Sequence, residues 1–319
     1  AVSPGEEVVV VTVGAFGDYF VSICEKYGLK VHKLEKNWGE ACTKEELADF
    51  LKPLSNIKAV FATYNETSTG ILNPVDQLAE AVREHSEAIF IVDGVSALGG
   101  APAEMDEWGI DILVTGSQKA MMLPPGLSFV AVSDKAWKQI EENAPTAYYL
   151  NLLSYRDWAE KGMTPNTPAV SLIVGLSAVC DLIEEEGGIA KTVERHELMK
   201  NMVRASMKAL SIDLLTNDEF ASPTITAIRT PKGLNLADYL GHLKKEYHLD
   251  FAGGLGHLQG EIFRFGHMGY CFPSDVLEAV SLMEAGLQDF SYSFESGAGV
   301  KAAQDVYLAS LKKKSVVSN

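Results

Sequence analysis

The sequence predicts an α/β protein with two parts: a large domain built on a mostly parallel sheet covered by helices, and a smaller C-terminal α+β domain. Short apolar runs alternate with helix-like stretches over the first two-thirds of the chain. Long helical stretches replace this alternation from about residue 171. The 319 residues are enough for two domains of roughly 150 residues each.

The first predicted elements alternate between strand and helix. Thr43 lies three residues before Glu46, which is the pattern of a capping box at a helix start. In 75–85 the apolar residues recur at i, i+3, i+4 and i+7, as on one face of a helix. In order, we predict strand 8–13, helix 18–27, helix 43–54, strand 57–63, helix 75–85 and strand 88–92.

Two further apolar runs, 110–115 and 127–132, are too short for helices and lie between Gly and Pro residues. They are predicted to be buried strands. Strands that alternate with helices form a mostly parallel sheet with both faces covered. Ligands of such sheets bind beyond the carboxyl ends of the strands, so the loops after strands are where functional residues are expected.

A domain boundary is predicted at Gly187-Gly188, which separates helices over 171–186 and 189–210. Residues 1–186 would form the large domain and 187–319 the small one. The small domain is expected to add strands near 224–229 and 261–265, and helices near 236–247, 274–290 and 300–311.

Charge and composition exclude several classes of protein. The formal charge of −16 would be repelled by phosphate backbones, so no nucleic-acid partner is expected. No apolar run approaches the ~18 residues of a membrane-spanning helix. The four cysteines form no C-x-x-C pair and the histidines no H-x-x-x-H spacing, which predicts no metal site and reduced, buried thiols in a cytoplasmic protein.

Two predicted strands end in charged residues. Asp93 closes one, and Lys119 follows the other by a few residues. The 94–109 connection is too long for a hairpin, so both charges are expected at the same edge of the sheet. Such a pair suits pyridoxal phosphate, because a lysine can hold its aldehyde and a buried carboxylate can keep its pyridine nitrogen protonated.

Several blocks of sequence carry a resemblance to a known family. The chain resembles the class V, fold-type-I aminotransferases of the alanine–glyoxylate and serine–pyruvate type. The blocks span most of the chain and occur in the family's order: 65–70 (NETSTG), 92–100 (VDGVSALGG), 108–111 (WGID), 115–126 (TGSQKAMMLPPG) and 263–270 (FRFGHMGY).

The resemblance implies a homodimer with pyridoxal phosphate at each active site, and it assigns a role to each of a set of residues. Lys119 would hold the cofactor as a Schiff base and Asp93 would face the pyridinium nitrogen. The other implied cofactor contacts are Phe16, stacked on the ring; Val95, on its other face; Ser68 or its neighbour Thr67, at the phenolic oxygen; Gln118, at the phosphate; and Thr167, at the phosphate of the partner subunit.

Arg264 is the candidate for substrate binding. It is expected to follow an apolar strand, and its planar guanidinium can bind a carboxylate through two parallel hydrogen bonds. The family block around it favours this role over a surface salt bridge. For His267 in the same block, a buried and hydrogen-bonded structural role is expected.

The start of the chain departs from the family pattern. Family members carry a Gly/Ser-rich phosphate loop at a helix start, and residues 1–5 resemble the segment just after it. The expectation is that this loop and the N-terminal arm are missing, and that the cofactor binds weakly without them.

The function implied is transamination between a small amino acid, alanine or serine, and a 2-oxo acid such as glyoxylate or pyruvate. A cysteine desulfurase of the same fold is one alternative, although Gln118 stands where that family has histidine. A nicotinamide-dependent oxidoreductase is another, but the G-x-G-x-x-G motif is absent. An inactive fragment is the third.

Overall fold

The computed structural model describes residues 1–143 and 147–317. Its strands are β1 (Glu7–Thr12), β2 (Lys30–Glu35), β3 (Ile57–Thr63), β4 (Asn65–Glu66), β5 (Ile71–Leu72), β6 (Ile89–Asp93), β7 (Ile112–Gly116), β8 (Ser128–Val132), β9 (Ile225–Arg229), β10 (Ala252–Gly253) and β11 (Ile262–Gly266). Its α-helices are α1 (Ala15–Lys26), α2 (Lys44–Leu51), α3 (Val75–His85), α4 (Met105–Trp108), α5 (Asp134–Glu142), α6 (Leu152–Ala159), α7 (Val170–Glu186), α8 (Ile189–Ala209), α9 (Leu236–Tyr247), α10 (Pro273–Asp289) and α11 (Ala298–Val317).

A six-stranded sheet in the order β2-β1-β3-β6-β7-β8 forms the centre of the large part of the molecule. The strands from β2 to β7 are parallel, and β8 runs antiparallel to β7. This confirms the predicted mostly parallel sheet. The carboxyl ends of β1, β3, β6 and β7 therefore lie along one edge, where a ligand site is expected.

Both faces of this sheet are buried. Along β1, Val9 and Val11 belong to one hydrophobic cluster, and Val8 and Val10 belong to the cluster on the opposite side. Alternate residues of a strand point to opposite faces, so an uninterrupted valine run is what a strand covered on both sides requires.

A separate core fills the C-terminal part. It is centred on the three-stranded antiparallel sheet β10-β11-β9 and contains buried residues of α8, α9, α10 and α11, such as Met202, Tyr239 and Val280. The first fully buried core residue from α8 is Met199, whereas earlier in that helix Thr192 and His196 contact Gly99 and Gly100, in a loop of the large part. The boundary placed at residue 187 stays a prediction, with α8 reaching both parts.

The strands at both edges of the large sheet differ from the sequence prediction. β8 is not a buried strand: Val130 at its centre is 42% exposed, because β8 forms the outer antiparallel edge. β2 was not predicted, since its residues are largely polar and partly exposed and lack the apolar run of a central strand.

Other differences concern side chains and helix ends. α1 begins at Ala15, three residues before the predicted start. Cys24 and Cys42 are buried as expected, but Cys180 is exposed and Cys271 partly exposed. Within the described part of the chain, no helix has the length and apolar character needed to cross a membrane.

Candidate active site

The candidate site lies where β1, β3, β6 and β7 end. Phe16 lies in the first turn of α1, just after β1, the segment after β3 carries Thr67 and Ser68, and Asp93 is the last residue of β6. Lys119 follows β7 by three residues. Because β6 and β7 are adjacent and parallel, the structure brings Asp93 and Lys119 to the same edge.

Asp93 is a half-buried carboxylate. Its Oδ1 accepts a hydrogen bond of 2.7 Å from the backbone N–H of Val95. Burial raises the pKa of Asp93 above its ordinary value, while this hydrogen bond and the positive charge of Lys119 act in the opposite direction. A cationic ring nitrogen beside the carboxylate would relieve the cost of burying its charge.

Lys119 lies in a loop of defined shape between β7 and β8. Ser117 closes this loop, since its Oγ donates to the Pro124 carbonyl at 2.7 Å and accepts from the Leu127 N–H at 3.1 Å. The Met122 N–H donates to the Lys119 carbonyl at 3.0 Å. No described side chain forms a hydrogen bond or an ion pair with the Lys119 ammonium, so the amine is available for chemistry.

Glu66 holds the start of α1, and with it Phe16. This carboxylate is fully buried and accepts hydrogen bonds from the N–H groups of Phe16 and Gly17 at 3.1 Å each. It also accepts from the Ser68 N–H at 3.1 Å and the Ser68 hydroxyl at 2.6 Å. A Cβ on Gly14 would lie 2.4 Å from Glu66 Cγ, so the close approach requires glycine there.

The hydroxyls of Thr67 and Ser68 are engaged differently. Ser68 Oγ accepts from the Ala15 N–H at 2.9 Å and donates to Glu66, so its proton is already committed. Thr67 Oγ1 lies 2.7 Å from Ser96 Oγ. Ser96 Oγ donates to the Asn65 carbonyl at 3.0 Å, so Thr67 is the donor to Ser96 and both predicted hydroxyls already have a hydrogen-bond acceptor.

Arg264 lies within β11, inside the strand predicted near 261–265, and not after an apolar strand. The apolar run continues past it, because Phe263 and Phe265 point into the C-terminal core while Arg264 points to the opposite face. Its Nε donates to the Gly253 carbonyl at 2.9 Å and its Nη1 to the Thr67 carbonyl at 3.2 Å. Burial lowers the pKa of Arg264, and the negative charge of Glu66 opposes that shift.

The remaining predicted residues occupy different positions. Val95 is half-buried beside Asp93, and Gln118 is exposed next to Lys119. Thr167 is exposed in the loop before α7, and no hydrogen bond among the described residues joins it to the others. His267 is fully buried and pairs through Nε2 with Thr226 Oγ1 at 2.8 Å, which agrees with a structural role.

Sequence reasoning missed Glu66 as a functional residue. Its acidic side chain stands between the polar residues of the 65–70 block, and nothing local shows that it caps a helix about 50 residues earlier. The one hint in the sequence that another group approaches this helix start is Gly14, in the loop after β1.

Across 1–143 and 147–317, no three His, Cys, Asp or Glu side chains are grouped so as to hold a metal ion. A groove of about 660 Å³, lined by residues that include Ile57 and His85, lies at the opposite end of β3 from the candidate site.

Comparisons with known proteins agree with this arrangement. The sequence model of the family described as Aminotransferase class-V matches residues 1–254. A Synechococcus protein named "Soluble hydrogenase, small subunit" is 40% identical over 310 residues, which are 95% of this chain and 79% of that protein. An L-aspartate–glyoxylate aminotransferase of Paracoccus denitrificans is 34% identical over 309 residues, 96% of this chain and 78% of that one. Other relatives are named serine–glyoxylate aminotransferases.

A solved structure gives the same result for the fold. The pyridoxamine–pyruvate aminotransferase of Mesorhizobium loti superposes with a TM-score of 0.91 at 31% identity, covering 97% of this chain and 80% of that chain. The chain thus has the fold-type-I architecture of pyridoxal-phosphate-dependent aminotransferases. With the family model covering four-fifths of its length, the chain belongs to the class-V aminotransferases.

Proposed function

We propose that the protein transfers an amino group from a small amino acid to a 2-oxo acid, with pyridoxal phosphate as its cofactor and glyoxylate or pyruvate as the acceptor. The observation that carries the proposal is the unpaired Lys119 beside the half-buried Asp93 at one edge of the sheet. The relatives named as glyoxylate and pyruvate aminotransferases support the choice of acceptors.

The residues present fit the cofactor. Asp93 would hold the ring nitrogen, Phe16 and Val95 the two faces of the ring, and Ser68 or Thr67 the phenolic oxygen. Gln118 would contact the phosphate, and Thr167 of a second copy would add to it. When bound, the cofactor supplies an electron sink for the bonds at the substrate α-carbon.

Three side chains of the protein then have separate roles in the reaction. Lys119 Nζ attaches the cofactor and afterwards moves the proton at the substrate α-carbon, for which it must be unprotonated. Asp93 supplies the negative charge that keeps the ring nitrogen protonated. Arg264 still has N–H donors beyond the two that bind backbone carbonyls, and these fix the substrate carboxylate so that the α C–H bond faces Lys119.

A second copy of the chain is part of this proposal. α7 is mostly apolar from Val170 to Cys180, yet Val179 is its only buried residue, and Val170 and Val174 are 60% and 66% exposed. An apolar helix of this kind needs a covering surface. α7 also packs on the Lys119 loop, since Leu172 meets Gly126, so the exposed face adjoins the site.

Lys119→Ala tests the cofactor chemistry. Titration of the wild-type chain with pyridoxal phosphate is expected to give the visible absorbance of a lysine-bound cofactor, and the variant to lose that absorbance and turnover from alanine or serine to glyoxylate. Lys138→Ala, an exposed lysine of α5, is the control. Wild-type turnover by Lys119→Ala would contradict the proposal.

Val174→Asp tests the second copy. Sedimentation equilibrium is expected to give twice the chain mass for the wild type and a lower mass for the variant, because a charge would be buried in the interface. Leu308→Asp, an exposed apolar position on α11 that is 52% exposed, is the control. A monomeric wild-type chain would exclude the dimer.

A further inference from the structure

The segment that follows β11, residues 266–272, packs against the peptide of Lys119. Gly269 in this segment has a φ of +80°, and a Cβ there would lie 3.1 Å from the Lys119 carbonyl oxygen. A side chain at Gly269 would be strained by its backbone and would press on that carbonyl. The position of this segment therefore bears directly on the position of Lys119.

Arg195 of α8 binds this segment through its backbone. Nη1 donates to the carbonyls of Gly269 and Cys271 at 2.8 and 2.6 Å. The other edge of the guanidinium forms a two-bond pair with Glu186, at 2.7 and 3.0 Å, and the Phe272 ring lies 5.0 Å away. With 9% of its side chain exposed, Arg195 is a buried clamp between α7 and the segment.

His196, the next residue, binds the same segment from a second direction. Its Nε2 accepts the Gly269 N–H at 3.0 Å, and its Nδ1 lies 2.6 Å from the Thr192 carbonyl. Nδ1 must therefore carry the proton and Nε2 the lone pair. Only the neutral ring can make both bonds.

The same turns of α8 also contact the loop that follows Asp93. Thr192 Oγ1 donates to the Gly99 carbonyl at 3.1 Å, and a Cβ on Gly100 would meet the His196 ring at 3.3 Å. Gly99 in turn lies against Ala120, next to Lys119. α8 thus joins the loops that carry the acid and the lysine of the site.

We propose that Arg195 and His196 are positioning residues for Lys119: together they hold residues 266–272 against the lysine's backbone and so fix its amine relative to Asp93. The inference rests on the proposed function for its catalytic consequence. The mechanical part, the fixing of two loops by α8, stands on the contacts alone.

His196 must be neutral to hold residues 266–272 in this way. The charged groups around the ring are Arg195 and Glu197 on α8 and Glu186 on α7, and the buried His267 lies beside it. Burial lowers the pKa of His196 and Arg195 adds to this, whereas the hydrogen bond to the Thr192 carbonyl and then the two glutamates oppose the shift. Protonation would place an N–H opposite the Gly269 N–H and release that end of the segment.

Hydrogen–deuterium exchange of the full chain, with and without pyridoxal phosphate, tests the mechanical part. His196→Leu removes the acceptor, whereas the Oε1 of His196→Gln can replace Nε2. We expect exchange in 266–272 and 117–122 to become about tenfold faster or more in His196→Leu and to stay within about twofold in His196→Gln. Lys191→Gln, on the exposed side of α8, is the control.

Steady-state kinetics of the variants then distinguish a loss of Lys119 positioning from a general loss of stability. In His196→Leu we expect kcat to fall by about tenfold or more with little change in KM. We expect the kcat of the wild type to fall in acid as His196 is protonated, and this fall to shift or disappear in His196→Gln. If His196→Leu does not fold, Arg195→Lys serves in its place, because one ammonium cannot reach Gly269, Cys271 and Glu186 together. Equal exchange in the wild type and the folded variant used would overturn the inference, whereas an inactive wild-type chain would contradict the proposed function.

Discussion

At the scale of single residues, the buried charge of Asp93 lowers the stability of the fold, but the proposed reaction requires it. Burying the Asp93 carboxylate costs free energy, and its pKa is raised because burial outweighs the Val95 hydrogen bond and the Lys119 charge. A carboxyl group whose pKa is raised by folding destabilises the fold at pH values above its unfolded pKa. The proposed function requires the carboxylate despite this cost, because a neutral amide could not stabilise a protonated ring nitrogen.

We therefore predict that Asp93→Asn stabilises the cofactor-free chain while it destroys turnover. The amide oxygen keeps the Val95 N–H bond, so the apparent Tm at neutral pH should rise by about 2 °C, or roughly 1 kcal/mol. The gain should vanish in acid, where Asp93 is protonated. Activity of the loaded enzyme should fall by about 100-fold or more. Asp157→Asn, an exposed substitution on α6, should change neither quantity, and a lower Tm for Asp93→Asn would refute the account.

Arg264→Lys tests carboxylate recognition at the same scale. The arginine binds the Gly253 and Thr67 carbonyls and still offers donors, which one ammonium cannot do. KM for the amino acid is expected to rise by about 10- to 100-fold. Steady-state kinetics with Arg229→Lys, an exposed arginine of β9, provide the comparison. If KM stays at the wild-type value for all carboxylate substrates, Arg264 does not bind them.

At the scale of elements, the start of α1 depends on residues far away in sequence. Most helix starts are capped by a neighbouring side chain, as Thr43 and Glu46 do for α2. α1 instead receives Glu66 and Ser68, about 50 residues later in the chain. The helix and the 65–70 segment consequently hold each other in place.

Glu66→Gln should damage both stability and cofactor binding. The amide group would face backbone N–H donors that the carboxylate accepts, at a cost of about 1–3 kcal/mol. Phe16 would lose its fixed position, so titration with pyridoxal phosphate should show weaker binding. Thr43→Ala removes the cap of a helix remote from the site and should cost about 1 kcal/mol without altering the affinity. Unchanged affinity in Glu66→Gln would mean that Glu66 serves the fold alone.

The difference between partners that are near in sequence and partners that are distant explains how much of the structure the sequence could predict. α3 was predicted to the residue, because apolar spacing inside one helix is local information, and so was β3, a run between clear breaks. Asp93 and Lys119 were found because parallel strands bring their ends together. The start of α1 and the role of Glu66 depend on distant partners, which one sequence without its fold does not reveal.

At the scale of the whole molecule, two buried histidines make stability depend on pH. Burial lowers the pKa of His267 to about 3, and it also lowers that of His196. Both stay neutral in the fold below the ordinary value of ~6.5, where the unfolded chain takes up protons. Their contribution is therefore present above about pH 6.5 and is lost as the pH falls.

Chemical unfolding at several pH values tests whether the stability falls as the pH falls. Between about pH 7.5 and 5.5 the wild type should lose about 1.4 kcal/mol through His267 alone, with a further loss through His196. His267→Gln should flatten this slope even if it lowers the stability itself. His248→Asn, at an exposed position, should leave the slope unchanged. A slope equal in wild type and His267→Gln would show that the ring is not held neutral.

The antiparallel return of β8 has a consequence for the order in which the site is built. Gly116 pairs with Ser128 across a loop of eleven residues, so the Lys119 loop closes through a local contact. The ends of β1, β3 and β6 meet only through parallel crossovers, which bring together residues distant in the chain and form slowly. During refolding, the lysine should therefore be in its loop before Phe16, Asp93 and Arg264 reach it, and the ability to capture pyridoxal phosphate should lag behind the recovery of helix signal in circular dichroism.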